Sequence, residues 1–299
     1  MVISLTSVLW PHNDKSLPTS LAAQNGSYFQ CKCVIFRLDD IEDYGKNRVQ
    51  LAILDHFIAE NKKLVPAIIL DRFGNLAPDG AVYLKVKEGY NKGLFEPAIH
   101  GVKHIKYSGL TKEQQKEDFT KANNKLQLLL GGQSRIFVPP FNQFDSNTLK
   151  ALAESGLDII STSYREENKT LNPYKISAPF TTNYSNIDLS VVNVSEPGRR
   201  QTSQVIYHIP FNISLLDLTR RGYSGENLTD KVLSSTESNI AEYGFSIIVL
   251  HPNDFATFNS STGSYGNSID TVKMQTLTKI INELEAKRIN FADYSNMTQ

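Results

Sequence analysis

The feature that most constrains this chain is the run Cys33-Val34-Ile35-Phe36-Arg37-Leu38, which ends in two adjacent carboxylates, Asp39-Asp40. An apolar run of this length flanked by polar residues reads as a buried strand. Carboxylates at the tip of a buried strand cost free energy unless they bind or react with something. Successive strand residues point to opposite faces, so both aspartates can serve one pocket only if the chain leaves the regular strand there.

The strand is one of many. Short apolar runs recur at Val65–Leu70, Phe95–Ile99, Arg135–Val138, Leu157–Ile160, Leu189–Val194, Val205–Ile209, Phe245–Leu250 and Ile289–Phe291. Between several of them lie helical patterns at Arg48–Glu60, Thr111–Leu130, Ser146–Glu154, Asn227–Tyr243 and Ile269–Lys287. Thr111-Lys112-Glu113-Gln114 fits a capping box, Gly131 supplies a left-handed stop, and Ser146 can cap the next helix. Strands alternating with helices imply a parallel sheet with helices packed outside. In 299 residues this rhythm fits an α/β fold, a distorted (β/α) barrel, better than a small open sheet. Residues 1–30, rich in Ser, Asn and Pro, read as an N-terminal arm before a single domain at 31–299.

Composition excludes several classes. Thirty-one basic residues balance 31 acidic ones, so nothing suggests an electrostatic grip on nucleic acid. No apolar stretch approaches the ~20 residues that span a bilayer, and a monomer is expected. Asn25, Asn168, Asn183, Asn193, Asn212, Asn227, Asn259 and Asn296 each open an Asn-x-Ser/Thr sequon, which carries the expectation of a secreted, extracellular or cell-wall glycoprotein. Cys31 and Cys33 read as two small unlinked residues at a strand start, since a disulfide across one residue of regular strand is strained.

In a (β/α) barrel the loops after the strands form the active-site mouth. Asp39-Asp40 lies at such an end, as do His100, the turn Pro139-Pro140-Phe141-Asn142, and His251. His100 and His104 are spaced to share one side of a helical turn. With one carboxylate they supply three ligands to a divalent metal and leave a position open, as catalytic sites do. His208 ends another run and is a candidate for lining the pocket, and Phe141, Phe144, Tyr164 and Phe255 are aromatic candidates for stacking on sugar rings.

These residues resemble the polysaccharide deacetylases of the NodB-homology type, carbohydrate esterase family 4, in a divergent branch. The resemblance spans about Cys33 to Phe291. It rests on Phe36-Arg37-Leu38-Asp39-Asp40, His100-Gly101-Val102-Lys103-His104, Val138-Pro139-Pro140-Phe141 and Leu250-His251. It implies Asp40, His100 and His104 as ligands of a divalent metal, zinc first and cobalt or nickel as substitutes. It implies Asp39 as general base and His251 as general acid; Pro140, Phe141, Asn142 and His208, from their places after apolar runs, are expected around the substrate. The implied reaction removes N-acetyl groups from an aminosugar polysaccharide. A metal-retaining carbohydrate-binding pseudoenzyme, a de-O-acetylase and a metal-independent glycoside hydrolase are the alternatives. Two departures stand out. The arginine that supports the base is replaced by Val138, and no carboxylate follows Ile160, where Ser161-Thr162-Ser163 stands.

Overall fold

The computed structural model describes residues 31–74, 81–163, 192–193, 203–204 and 206–297. The arm at 1–30, Tyr164, and the sequons at Asn25, Asn168 and Asn183 lie outside the described residues. Strands β1 (Cys33–Ile41), β2 (Val65–Ile68), β3 (Ala98–Ile99), β4 (Ile136–Phe137) and β5 (Ile159–Ile160) are interleaved with helices. These are α1 (Asn47–Ala59), α2 (Ala81–Asn91), α3 (Lys112–Leu130) and α4 (Ser146–Glu154). A short antiparallel pair, β6 (Val192–Asn193) and β7 (Ser203–Gln204), precedes β8 (Tyr207–His208), β9 (Ile213–Ser214), α5 (Leu215–Arg220) and α6 (Gly225–Tyr243). The chain continues through β10 (Phe245–Leu250), the hairpin β11 (Ala256–Asn259) and β12 (Ser264–Ile269), α7 (Thr271–Ala286) and β13 (Asn290–Phe291).

All pairings in the main sheet are parallel, in the order β8-β5-β4-β3-β2-β1-β10-β9, with β13 added to β1. The segment 207–214 is the seam that curls this sheet into a distorted barrel. Tyr207 and His208 pair with β5, Phe211 bridges to Ser163, and Ile213 and Ser214 pair with β10. Asn212, one of the sequon residues, stitches that seam by accepting from the Ile247 N–H and the Ser246 hydroxyl.

Alternation along β1 sorts the apolar residues into two cores. Val34, Phe36 and Leu38 face the helices, among Ile53, Phe57, Phe119 and Leu284. Cys33 and Ile35 face the barrel interior with Ala67, Ala98, Ile136, Val138 and Ile247.

Most strands and helices fall where the sequence placed them, with five differences. Phe95–Ile99 contracts to Ala98–Ile99, and Val192–Asn193 pairs with β7 rather than joining the main sheet. Helices α2 and α5 and the hairpin β11–β12 were not expected. Cys31 and Cys33 are joined by a disulfide, their Cα atoms 5.1 Å apart, contrary to the unlinked reading. The strand begins only at Cys33, and Lys32 has φ 44°, so the backbone turns between them rather than running straight.

The fifth difference is a cap. Thr111 and Gln114 form the expected capping box of α3, and Gly131 closes that helix at φ 85°. On α4, however, the N-cap is Asp145, not Ser146: Asp145 accepts from the Thr148 N–H and Thr148 returns the bond. Asp145 also accepts from the Gly109 N–H. Asp145→Ala is therefore expected to cost about 1–2 kcal/mol in urea unfolding, against about 0.5 kcal/mol or less for Ser146→Ala.

Candidate active site

The period of β1 carries past the apolar residues. After Cys33 and Ile35, Arg37 and Asp39 occupy the interior face, where Arg37 is 1% exposed. A buried guanidinium is tolerated only when paired and hydrogen-bonded. Its Nε and Nη2 donate to Asp39 Oδ1 and Oδ2, both at 2.8 Å. Its Nη1 donates to the Ser161 hydroxyl at 2.8 Å and the Ser161 carbonyl at 3.2 Å. The Phe211 ring lies 4.9 Å from the guanidinium carbon. The fork fits a carboxylate bidentately. Burial acts to raise the Asp39 carboxyl, but the Arg37 charge and hydrogen bonds outweigh it and hold the group below the ordinary range.

The next residue leaves the strand. Leu38 pairs with Pro66 and Ile41 with Ile68, so β1 carries one extra residue between those pairs. Asp40 takes φ 63° at this bulge, a conformation that costs a non-glycine residue free energy and is held by its surroundings. The bulge lets both aspartates serve the barrel mouth.

Asp40 Oδ1 lies 3.3 Å from His100 Nε2 and 3.2 Å from His104 Nε2. The three ligand atoms fall within 4.8 Å of one another. The histidines are not on a helix, as their spacing suggested, but on a loop of turns and bends. Gly101 makes that loop: its φ is 84°, and a Cβ there would meet the Lys103 carbonyl at 2.6 Å. His100 Nδ1 sits 2.7 Å from the Val138 carbonyl, which accepts the Nδ1 proton and turns Nε2 toward Asp40. A cation between Nε2 and the carboxylate oxygen, a proton or a metal ion, satisfies both. The Asp40 carboxyl is held well below the ordinary range, because contacts with His100 and His104 outweigh burial. Two imidazole nitrogens and a carboxylate oxygen are a donor set that fits a divalent metal.

His251 follows β10, its Nε2 4.0 Å from Asp39 Oδ2 and its Nδ1 3.8 Å from Asp254 Oδ2. Asp254 also accepts from the His251 backbone N–H at 2.8 Å. Burial lowers the imidazole's pKa, but Asp254 and then Asp39 more than reverse this, and it is pushed up to about 9. The carboxylate missing after β5 thus has a counterpart three residues beyond His251, on the same turn.

The remaining expected residues divide. Pro140 is buried, while Phe141, at φ 58° and ψ 14°, is 54% exposed with its ring 4.4 Å from that of His104. Asn142 accepts from the Ser163 N–H at 3.1 Å, tying the Pro-Pro turn to the loop after β5. His208 is buried, with Nε2 3.2 Å from the Thr162 hydroxyl, and burial lowers its pKa to about 3. It sits inside the seam and not on the open cleft. Phe144 and Phe255 are buried. The cleft itself, about 670 Å³, runs from Asp40 and His104 past Tyr44, Arg72, Lys103 and Pro252. Arg37, Asp254, Tyr44 and Arg72 were not singled out as site residues. For Arg37 the signal was present, since it shares the alternation of Asp39.

A family model described as polysaccharide deacetylase matches residues 74–160. The fold is similar to that of a peptidoglycan N-acetylglucosamine deacetylase at 16% identity and TM-score 0.54, over 89% of this chain and 87% of that one. The chain carries the polysaccharide deacetylase fold. A family 4 acetyl xylan esterase from Clostridium thermocellum, solved with a cobalt ion, is similar at 14% identity and TM-score 0.50, over 88% and 89% of the two chains. So is a family 4 pseudoenzyme from Bacillus anthracis, at 13% identity and TM-score 0.52, over 90% of this chain and 66% of that one. No curated protein matches the sequence. Among the described residues no helix is long and apolar enough to cross a membrane.

Two outcomes follow from the charges in this deacetylase-like site. In metal-free protein His251 is expected to titrate by NMR with a midpoint near 9, falling in Asp254→Asn; an unshifted midpoint in the variant would contradict the pairing. Arg37→Met leaves Asp39 buried and uncompensated, and is expected to cost about 3–5 kcal/mol at neutral pH. Because the folded Asp39 is depressed below its usual 3.8, the pair stabilises above that pH and loses this contribution as pH falls. The Arg37→Met deficit in urea unfolding should accordingly shrink below about pH 4.

Proposed function

We propose that this chain is a divalent-metal-dependent deacetylase that releases acetate from N-acetylated residues of an aminosugar polysaccharide. One observation carries the reading: a proton acceptor and a proton donor, each supported by a charged partner, flank the three-ligand set at one barrel mouth. His251 Nε2 lies 4.0 Å from Asp39 Oδ2, and Asp39 is followed directly by Asp40 of the Asp40–His100–His104 cluster.

Asp40, His100 and His104 would hold the metal. When bound, a divalent cation supplies Lewis acidity toward the acetyl carbonyl and the attacking water. Asp39, ionised and oriented by Arg37, takes the proton of that water. His251, kept charged by Asp254 and Asp39, donates a proton to the departing amine nitrogen, which would otherwise be a poor leaving group. Phe141 lies against one side of His104, the ring centroids 4.4 Å apart. Arg37 donates to both oxygens of Asp39, which weakens the base, and this favours the pseudoenzyme reading as the runner-up.

The test is elemental analysis beside acetate release. About one zinc per chain is expected, lost in His104→Ala and kept in Asp39→Asn, which removes the base and no ligand. Acetate should be released from N-acetylglucosamine oligomers by wild type, stop on chelation and return with zinc or cobalt. Asp39→Asn should lower turnover by at least about a hundredfold. Zinc binding with no acetate from any aminosugar polymer would favour the pseudoenzyme; absence of metal after reconstitution would sink both.

A further inference from the structure

The hairpin β11–β12 has no part in the chemistry above, and its composition is unusual. From Ala256 to Ile269 there is no charged residue, and eight of the fourteen residues are Ser, Thr or Asn. An exposed hairpin without Lys, Glu or Pro lacks the usual protection against edge-to-edge association. It also carries an exposed aromatic pair. Phe258 and Tyr265 are cross-strand partners, 55% and 37% exposed, with ring centroids 5.1 Å apart. Ile269 at the end of β12 and Val272 at the start of α7 are exposed as well. Lys273 pins one side, its Nζ 5.5 Å from the Tyr265 centroid and donating to the Ala256 carbonyl at 3.3 Å.

The placement of aromatics across the molecule is telling. Every exposed aromatic side chain among the described residues (Tyr44, Phe141, Phe258 and Tyr265) lies in a segment following a barrel strand, after β1, β4 or β10. Tyr44 lines the cleft, with the Arg72 guanidinium 3.8 Å from its centroid. The hairpin adjoins that cleft. It springs from the turn bearing Pro252 and Asn253, which line one wall, and β12 packs on α1, whose start follows cleft residues Gly45 and Lys46. The Arg48 N–H donates to Asn267 Oδ1 at 3.0 Å and fixes the junction.

We propose that the β11–β12 hairpin is a remote sugar-binding platform that holds a polysaccharide chain extending out of the cleft, with Phe258 and Tyr265 stacking on its pyranose rings. A neutral surface of aromatic faces among hydroxyls and amides complements a neutral polyol, whose rings offer C–H faces edged by hydroxyls. Its place beside the cleft, through the turn of Pro252 and Asn253, argues for the polymer as occupant over a second copy, which an uncharged edge would also admit. The proposal rests on the deacetylase reading, and it makes chain length a determinant of binding.

The test compares chitobiose with chitohexaose by calorimetry, using zinc-loaded Asp39→Asn protein with and without Phe258→Ala/Tyr265→Ala. Both positions are exposed, and circular dichroism with zinc content checks that the fold survives. The ratio of hexaose to biose affinity is expected to fall about tenfold in the double variant. Binding of both probes with an unchanged ratio would overturn the platform alone. If neither probe binds the parent protein, the aminosugar reading fails and the platform with it. A dimer of the parent protein that dissociates in the double variant, at unchanged ratio, would assign the face to a second copy and overturn the proposal.

Discussion

The structure turns on one backbone event, the extra residue that β1 carries where it meets the mouth of the barrel. A regular strand would send Asp39 and Asp40 to opposite faces, one into the interior and one toward the helices. The bulge against β2, with Asp40 at φ 63°, keeps Asp39 on the interior face beside Arg37 and swings Asp40 to His100 and His104. The strained conformation is held by what it connects: a bidentate buried ion pair on one side and two imidazoles on the other.

That event also sets how this chain supports Asp39. Position 138, where the resemblance implied an arginine, holds Val138, which packs among Ile35, Ala98 and Ile136. Arg37 comes instead from β1, two residues before Asp39. Its guanidinium anchors on Ser161, whose hydroxyl also meets Tyr294. Residues Ser161 and Thr162, a gap when viewed as a missing carboxylate, are thus occupied in holding Arg37 and His208. The partner of His251 likewise comes from its own turn, as Asp254. Both supports are local in sequence, and both leave the ligand set untouched.

Much of this was legible in the residues. The capping box at Thr111 and the left-handed Gly131 reflect local physics and stand as expected, and the alternation of strands and helices holds with α2, α5 and the hairpin added. The clustering of Asp40, His100 and His104 was legible because these residue types are few and Asp40 and His100 each follow an apolar run. What escaped depends on the backbone's departures from regularity. Spacing alone placed His100 and His104 on a helix, whereas Gly101 permits a loop that brings them together. The disulfide was discounted on regular-strand geometry that Lys32 does not obey. Phe144 and Phe255 resemble Phe141 in sequence position, yet they are buried; which aromatic faces solvent is decided by tertiary packing. The hairpin was missed because eight short polar residues around two rings carry little strand signal.

The central claim, that the bulge delivers Asp40 to two histidines as a metal site, is tested most directly by X-ray absorption at the zinc edge of the loaded protein. The account predicts low-atomic-number ligands at about 2.0–2.1 Å with the scattering signature of two imidazoles and no sulfur. A spectrum with one imidazole or none, or with sulfur at about 2.3 Å, would contradict it.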